Sequence, residues 1–201
     1  MKPAKTFALG LSIILMMTAA APFASAQAEH VRWDIISVNF APPFTISAGG
    51  TASALAGDGS HITFTGSGTF VAPGGGDGSS GATTGGGMWA FFASGATTPS
   101  ATGTYVVTGL VRWDPAPFPP GGPPPRTDLI DPSAVRSTGL AVLRITYSDG
   151  ERGILVVSCE GVTSPPSMFE GVTASKGFID YKTPAAPVGG VDANRTLFHI
   201  E

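Results

Sequence analysis

The stretch that decides the fold is GLAVLRITYSDGERGILVVSCE, residues 139–160. Residues 140–147 and 154–159 are rich in β-branched and large apolar side chains, as strands are. Asp149-Gly150 lies between them, and Asp-Gly between two such runs signals a tight hairpin, because a type I′ turn needs positive φ at both central residues. With Asp149-Gly150 as a two-residue turn, Ile145 opposes Ile154 and Leu143 opposes Val156, on a face shared with Ala141 and Tyr147. Val142, Arg144, Thr146, Leu155 and Val157 make a mixed second face. One face covered and the other partly so is the pattern of an antiparallel sheet. Gly153 leaves a longer loop open, so the hairpin is better defined than its register.

Outward from this hairpin the same signals recur. Residues 30–38 (HVRWDIISV) read as a first strand whose two-residue period breaks near Ile36, where a bulge is expected. Weaker strands are expected at 44–47 and 51–56. A better one spans 61–71, with Gly66 and Gly68 marking a bend or close backbone approach. Residues 88–93, 103–114, 172–182 and 196–200 complete the set. Two segments separate them. Residues 73–87 are almost all Gly, Ser and Thr, and read as a flexible loop. Residues 115–132 hold eight prolines; they read as an extended surface crossing that cannot join a sheet interior. About nine or ten short strands without a helical period give an all-β fold. An antiparallel β-sandwich is favoured because the proline-rich crossing suits a chain passing between sheets. A closed β-barrel, with glycines at its corners, is the alternative.

Residues 1–26 read as a secretory signal peptide. Lys2 and Lys5 give a positive start, an apolar run too short to span a bilayer follows, and Ala24-Ser25-Ala26 is a small-x-small cleavage site. The mature chain is expected to begin at Gln27 as one domain over 27–201, exported to a periplasm or beyond the cell, with no further membrane span. The chain carries 11 basic against 14 acidic residues and a net charge of −3. The leader removes two of the basic ones, so the mature chain is more acidic still. Without a basic run, nucleic acid and anionic membrane are poor partners. The single cysteine, Cys159, sits in an apolar strand and is expected to be buried and inert.

The chemistry on offer is thin. His30, His61 and His199 are widely separated, with no metal-ligand spacing. Gly57-Asp58-Gly59-Ser60 and Gly76-Asp77-Gly78-Ser79 lack the alternating carboxylates of a calcium loop. No nucleophile elbow is present, and an apolar strand disfavours a Cys159 thiolate. No cofactor is implied. Asn194-Arg195-Thr196 matches a glycosylation acceptor, one that a leader of bacterial style leaves idle. Pro123-Pro124-Pro125-Arg126 resembles a proline-rich ligand but reads better as a rigid loop.

Two sets of residues remain as candidates. Val31-Arg32-Trp33-Asp34 recurs as Val111-Arg112-Trp113-Asp114. Paired edges built from Trp33, Trp113, Arg32 and Arg112, with Trp89, are one ligand-binding reading; reuse of similar residues in one small β domain is the simpler one. The second set is Glu160, Glu170 and Asp180, near expected strand ends. A glycosidase needs two facing carboxyl groups, and the tryptophans would stack on sugar rings. Solvated carboxylates and core tryptophans are the plainer account. The leading expectation is therefore an exported, non-enzymatic binding or surface-interaction module, with its contacts on the loops at 73–87 and 115–132. Its partner would be a protein, a glycan or a small apolar ligand. The alternatives are a barrel holding a small apolar ligand among Phe64, Phe70, Phe91 and Phe92, and a carbohydrate-active enzyme.

Overall fold

The computed structural model describes residues 28–72, 82–116, 118, 125–161, 164–185 and 194–201. The expected leader, residues 73–81 of the glycine-rich loop and residues 119–124 of the proline-rich crossing lie outside them. Among the described residues fourteen strands are formed: β1 (Glu29–Asn39), β2 (Thr45–Ala48), β3 (Ala52–Ala56), β4 (His61–Phe64), β5 (Ser67–Ala72), β6 (Gly86–Phe92), β7 (Ala101–Pro115), β8 (Thr127–Asp128), β9 (Val135–Ser137), β10 (Gly139–Tyr147), β11 (Arg152–Cys159), β12 (Gly171–Lys176), β13 (Ile179–Ala185) and β14 (Thr196–Ile200). There is no helix among the described residues, and so none long and apolar enough to cross a membrane.

The all-β class is as expected; the architecture is the barrel and not the favoured sandwich. Strands β3, β4, β6, β7, β10, β11, β12 and β13 pair in a closed antiparallel ring, which the β4–β6 pairing completes. Closure removes the two long edges that an open sheet would leave. A second run, β5–β1–β14–β9, continues from β6. It arises because β4 and β5 are one run of chain that changes neighbour. His61–Phe64 pairs with β3, whereas Ser67–Ala72 pairs with β1. The change happens at Thr65-Gly66. Gly66 has φ +145, and a Cβ there would lie 2.4 Å from the Gly86 carbonyl oxygen and 2.5 Å from the Tyr105 hydroxyl. Tyr105 donates to the Thr65 carbonyl at 3.0 Å, fixing the corner that only glycine can turn.

The central hairpin is present, with its register one residue from the two-residue expectation. Leu143 faces Leu155, Ala141 faces Val157 and Ile145 faces Gly153. Tyr147 N–H bonds Glu151 O, and Gly150 N–H bonds Tyr147 O, so the loop is Ser148-Asp149-Gly150. Gly150 takes φ +90, the left-handed third position of a three-residue hairpin loop. The shift puts Leu155, Val157 and Cys159 on the buried face with Ala141, Leu143, Ile145 and Tyr147. Four apolar residues from β10 and three from β11 then share the interior, which is the physical reason this register wins.

Strand β7 must keep Tyr105, Val107, Leu110 and Trp113 on that same interior face. They change parity twice, and the pairing with β10 shifts twice, between Val142 and Leu143 and between Arg144 and Ile145. Each shift inserts one extra β7 residue, Val111 and Thr108, and bends the strand. The interior is filled. Phe64 meets Tyr105 edge-on at 5.4 Å, Trp89 meets Tyr147 at 5.7 Å, and Trp113 lies against Phe198 at 4.6 Å and Phe70 at 5.5 Å.

The broken period of β1 has a different cause from a bulge. Its pairing runs in regular register, with β14 over Val31–Ile35 and with β2 over Ile36–Asn39. Val31, Trp33 and Ile35 face the core, while Asp34, Ile36 and Val38, on the opposite face, are also buried. What buries them is a flap of β2 and β8, which pair in parallel through Thr45–Thr127 and Ile46–Asp128. The proline-rich crossing thus contributes a short strand after all, at its C-terminal end. Likewise, residues 82–87 of the glycine-rich segment are ordered into the sheet: Thr84 and Thr69 exchange backbone hydrogen bonds, and Gly86 opens β6. The run 172–182 is two strands, β12 and β13, joined by a turn at Gly177-Phe178.

Candidate functional site

The flap creates a cleft. The outer face of β1 supplies Ile36 and Val38, β2 supplies Ile46, and β14 supplies Leu197. These are the floor, and they are apolar because all four are buried, although they lie away from the packed aromatic core. The opening is about 480 Å³, within the usual range for a small-molecule site. Phe40, just past β1, and Phe118, from the proline-rich crossing, flank it. Arg126 precedes β8, Arg136 is on β9 and Arg195 precedes β14, so three separate segments place a guanidinium at the rim. Glu160 follows β11 and Glu170 precedes β12, which brings both to the same rim.

The rim is electrostatically uneven. Arg126 and Arg195 both lie against the Phe40 ring, at 5.0 and 5.5 Å from its centre. Arg126 Nη1 is closed off from solvent and has no hydrogen-bond partner among the described residues. Glu170 accepts the Glu160 N–H at 2.7 Å on Oε2 and the Thr196 N–H at 2.8 Å on Oε1. Burial pushes its carboxyl up to about 7, with Glu160 adding to the rise and the two backbone donors and Arg195 opposing it. Cys159 lies at the edge of the floor; burial holds its thiol well above the usual range, reinforced by Glu170. It is free and buried, as its strand position implies.

Beside the cleft, the outer face of β1 and β14 carries a buried charged chain. Arg32 donates to Asp34 through Nε and Nη2, at 2.8 and 2.9 Å. His199 Nδ1 stands 3.8 Å from Asp34 Oδ2, and its Nε2 is 2.8 Å from Asp128 Oδ2. Asp128 belongs to β8, so this chain fastens the flap to the barrel.

The expected site residues are distributed differently. Trp33 is fully buried, and Trp113 packs on Phe198 while its Nε1 donates to Glu29 at 3.1 Å. Arg32 pairs with Asp34, and Arg112 with Asp114 at 2.5 Å. The repeated Arg-Trp-Asp is therefore a strand motif, in which Trp turns into the core and Arg and Asp, two apart, meet on the other face. Trp89 borders an opening. This second cavity, about 320 Å³, lies at one end of the barrel with Phe91, Phe178, Ile179 and Tyr181. Lys176 covers it, 4.7 Å over the Trp89 ring and ion-paired with Asp149 and Glu151.

Of the carboxylates, Glu160 and Glu170 meet at the cleft. Asp180 sits on β13, paired with Lys182 at 3.4 Å. Phe64 and Phe70 are in the packed core, Phe92 stacks on His61, and Phe91 borders the second cavity. No group of three or more metal-ligating side chains is assembled among the described residues. Asn194 is buried, accepting from Ser53 N–H and donating to Ala185 O, both at 2.6 Å, so the acceptor sequence has a structural use. The arginines of the cleft escape sequence reading because each is isolated in the chain, with no spacing to link it to the others. Comparisons with protein families, with curated proteins and with solved structures find no match to this chain.

Proposed function

We propose that this chain is an exported, non-catalytic binding module, and that its ligand site is the cleft beneath the β2–β8 flap. The observation that carries the reading is an opening of small-molecule size beneath the flap, with an apolar floor of Ile36, Val38, Ile46 and Leu197 on the face of β1 and β14 turned away from the packed core. The proline-rich crossing supplies Phe118 and Arg126, in keeping with a rigid β scaffold that carries function on its connections. The neutral probe N-phenyl-1-naphthylamine tests it. Saturable fluorescence enhancement is expected with the mature chain, reduced by Val38→Trp, which fills the floor. Enhancement that Val38→Trp leaves intact in a chain of unchanged thermal stability overturns the assignment.

A second reading has one observation in its favour. Glu160 and Glu170 share the rim, and Glu170 has a carboxyl near neutrality, the property of a general acid in glycoside hydrolysis. Release of nitrophenol from aryl glycosides, lost in Glu170→Gln, carries that reading; release that persists in Glu160→Gln and Glu170→Gln removes both candidates.

A further inference from the structure

We infer that the cleft takes a ligand with one oxyanionic head group on an apolar body, the head held by Arg126 and Arg195 beside Phe40. The inference rests on the assignment of the cleft as the ligand site and adds the chemistry of what enters it.

Four observations converge. First, Arg126 and Arg195 lie against one aromatic ring. A guanidinium stacked on a ring keeps its in-plane N–H edge free to grip an oxyanion with paired hydrogen bonds. Second, Arg126 Nη1 is shut off from solvent without a partner among the described residues. A buried donor left unmet is costly, and an arriving oxygen acceptor relieves that cost. Third, Arg126 and Arg195 both line the cleft, and two cations there call for an anion to balance them. Glu170 does not serve this purpose well: both of its oxygens already hold backbone donors, and its burial favours the neutral carboxyl. Fourth, the floor of the same cleft is aliphatic, which suits the ligand's body and rejects a fully solvated anion.

The test compares three ligands that differ only in the head: decanoate, decanol and decyltrimethylammonium, each displacing N-phenyl-1-naphthylamine from the mature chain. Decanoate is expected to displace the probe at roughly tenfold lower concentration than decanol, with the ammonium weakest. Arg126→Gln is expected to remove most of the decanoate advantage over decanol, in a chain whose thermal melt matches that of the parent. Arg195→Gln serves as the independent second variant. Equal displacement by decanoate and decanol, or preference for the ammonium, overturns the head-group assignment and leaves an apolar cleft standing. No displaceable binding of the probe overturns the cleft assignment itself, so the two failures are distinct.

Discussion

His199 Nε2 lies 2.8 Å from Asp128 Oδ2, joining the last strand of the chain to a two-residue strand 71 positions earlier. Both side chains are buried, and the Asp128 carboxylate also accepts the Ile130 N–H at 2.9 Å. Asp128→Ala leaves His199 Nε2 without its partner in a dry setting. We expect it to destabilise the protein by about 3 kcal/mol, the scale for breaking a buried pair by removing one partner. Urea unfolding measures it. Because β8 is half of the flap, the same variant should also weaken binding in the cleft; unaltered stability would show that the contact does not hold the flap.

Stability should be greatest in mildly acidic solution. Burial pushes the Asp34 carboxyl up, but the His199 imidazole beside it and its bonds with Arg32 outweigh this and hold it below its ordinary 3.8. A lowered carboxyl contributes stability above its unfolded value, and that contribution is lost as pH falls through the folded one. Burial pushes the His199 imidazole down, but Asp34 and Asp128 outweigh this and raise it above its ordinary 6.5. A raised imidazole contributes fully below its unfolded value and is lost as pH rises through the folded one. Glu170, raised from 4.5 to about 7, adds to the decline over that interval. Melting temperature against pH should therefore peak between about 4 and 6. Glu170→Gln should flatten the neutral side of the curve, and a maximum above pH 8 would contradict the assignment.

Gly66→Ala tests the corner at which one run of chain changes neighbour. The added Cβ meets the Gly86 carbonyl and the Tyr105 hydroxyl, and the backbone φ of +145 is strained for any side chain. We expect a loss of about 3 kcal/mol or more. Gly57→Ala, where a Cβ meets nothing within 4 Å, is the control and should stay within about 0.5 kcal/mol of the parent. Thermal melts of the two variants distinguish them directly.

Cys159 should resist alkylation. Its thiol is buried and held far from the thiolate, first by desolvation and then by Glu170. Iodoacetamide at pH 8 is expected to label it only after denaturation. Rapid labelling of the native chain, followed by mass spectrometry, would show that the cleft floor opens to solvent.

The hairpin of β10 and β11 was legible because its apolar runs and Asp149-Gly150 are local signals. Its register was not, since Asp-Gly serves both the two-residue loop and the three-residue loop that forms. Closure of the barrel depends on His61–Phe64 meeting Trp89–Phe92, a non-local pairing that leaves no mark in the local pattern. The irregular period of β1 was visible, but burial on both faces looks like a bulge until the flap is seen. Glu160 and Glu170 stand out in the sequence only together with Asp180, as carboxylates near strand ends; Phe40, Arg126, Arg136 and Arg195 do not stand out, because only the fold makes them neighbours. The repeated Arg-Trp-Asp was the opposite case, a conspicuous pattern whose use is local to each strand.

The pairing that closes the ring has one more outcome, for the protein's behaviour in company. A long bare strand edge invites another chain to add to it. Among the described residues two ends of the strand order are β8 and β9, of two and three residues. Such stubs offer a passing strand little to register against. Although 42% of its residues are hydrophobic, association by strand addition at these two ends should therefore be weak.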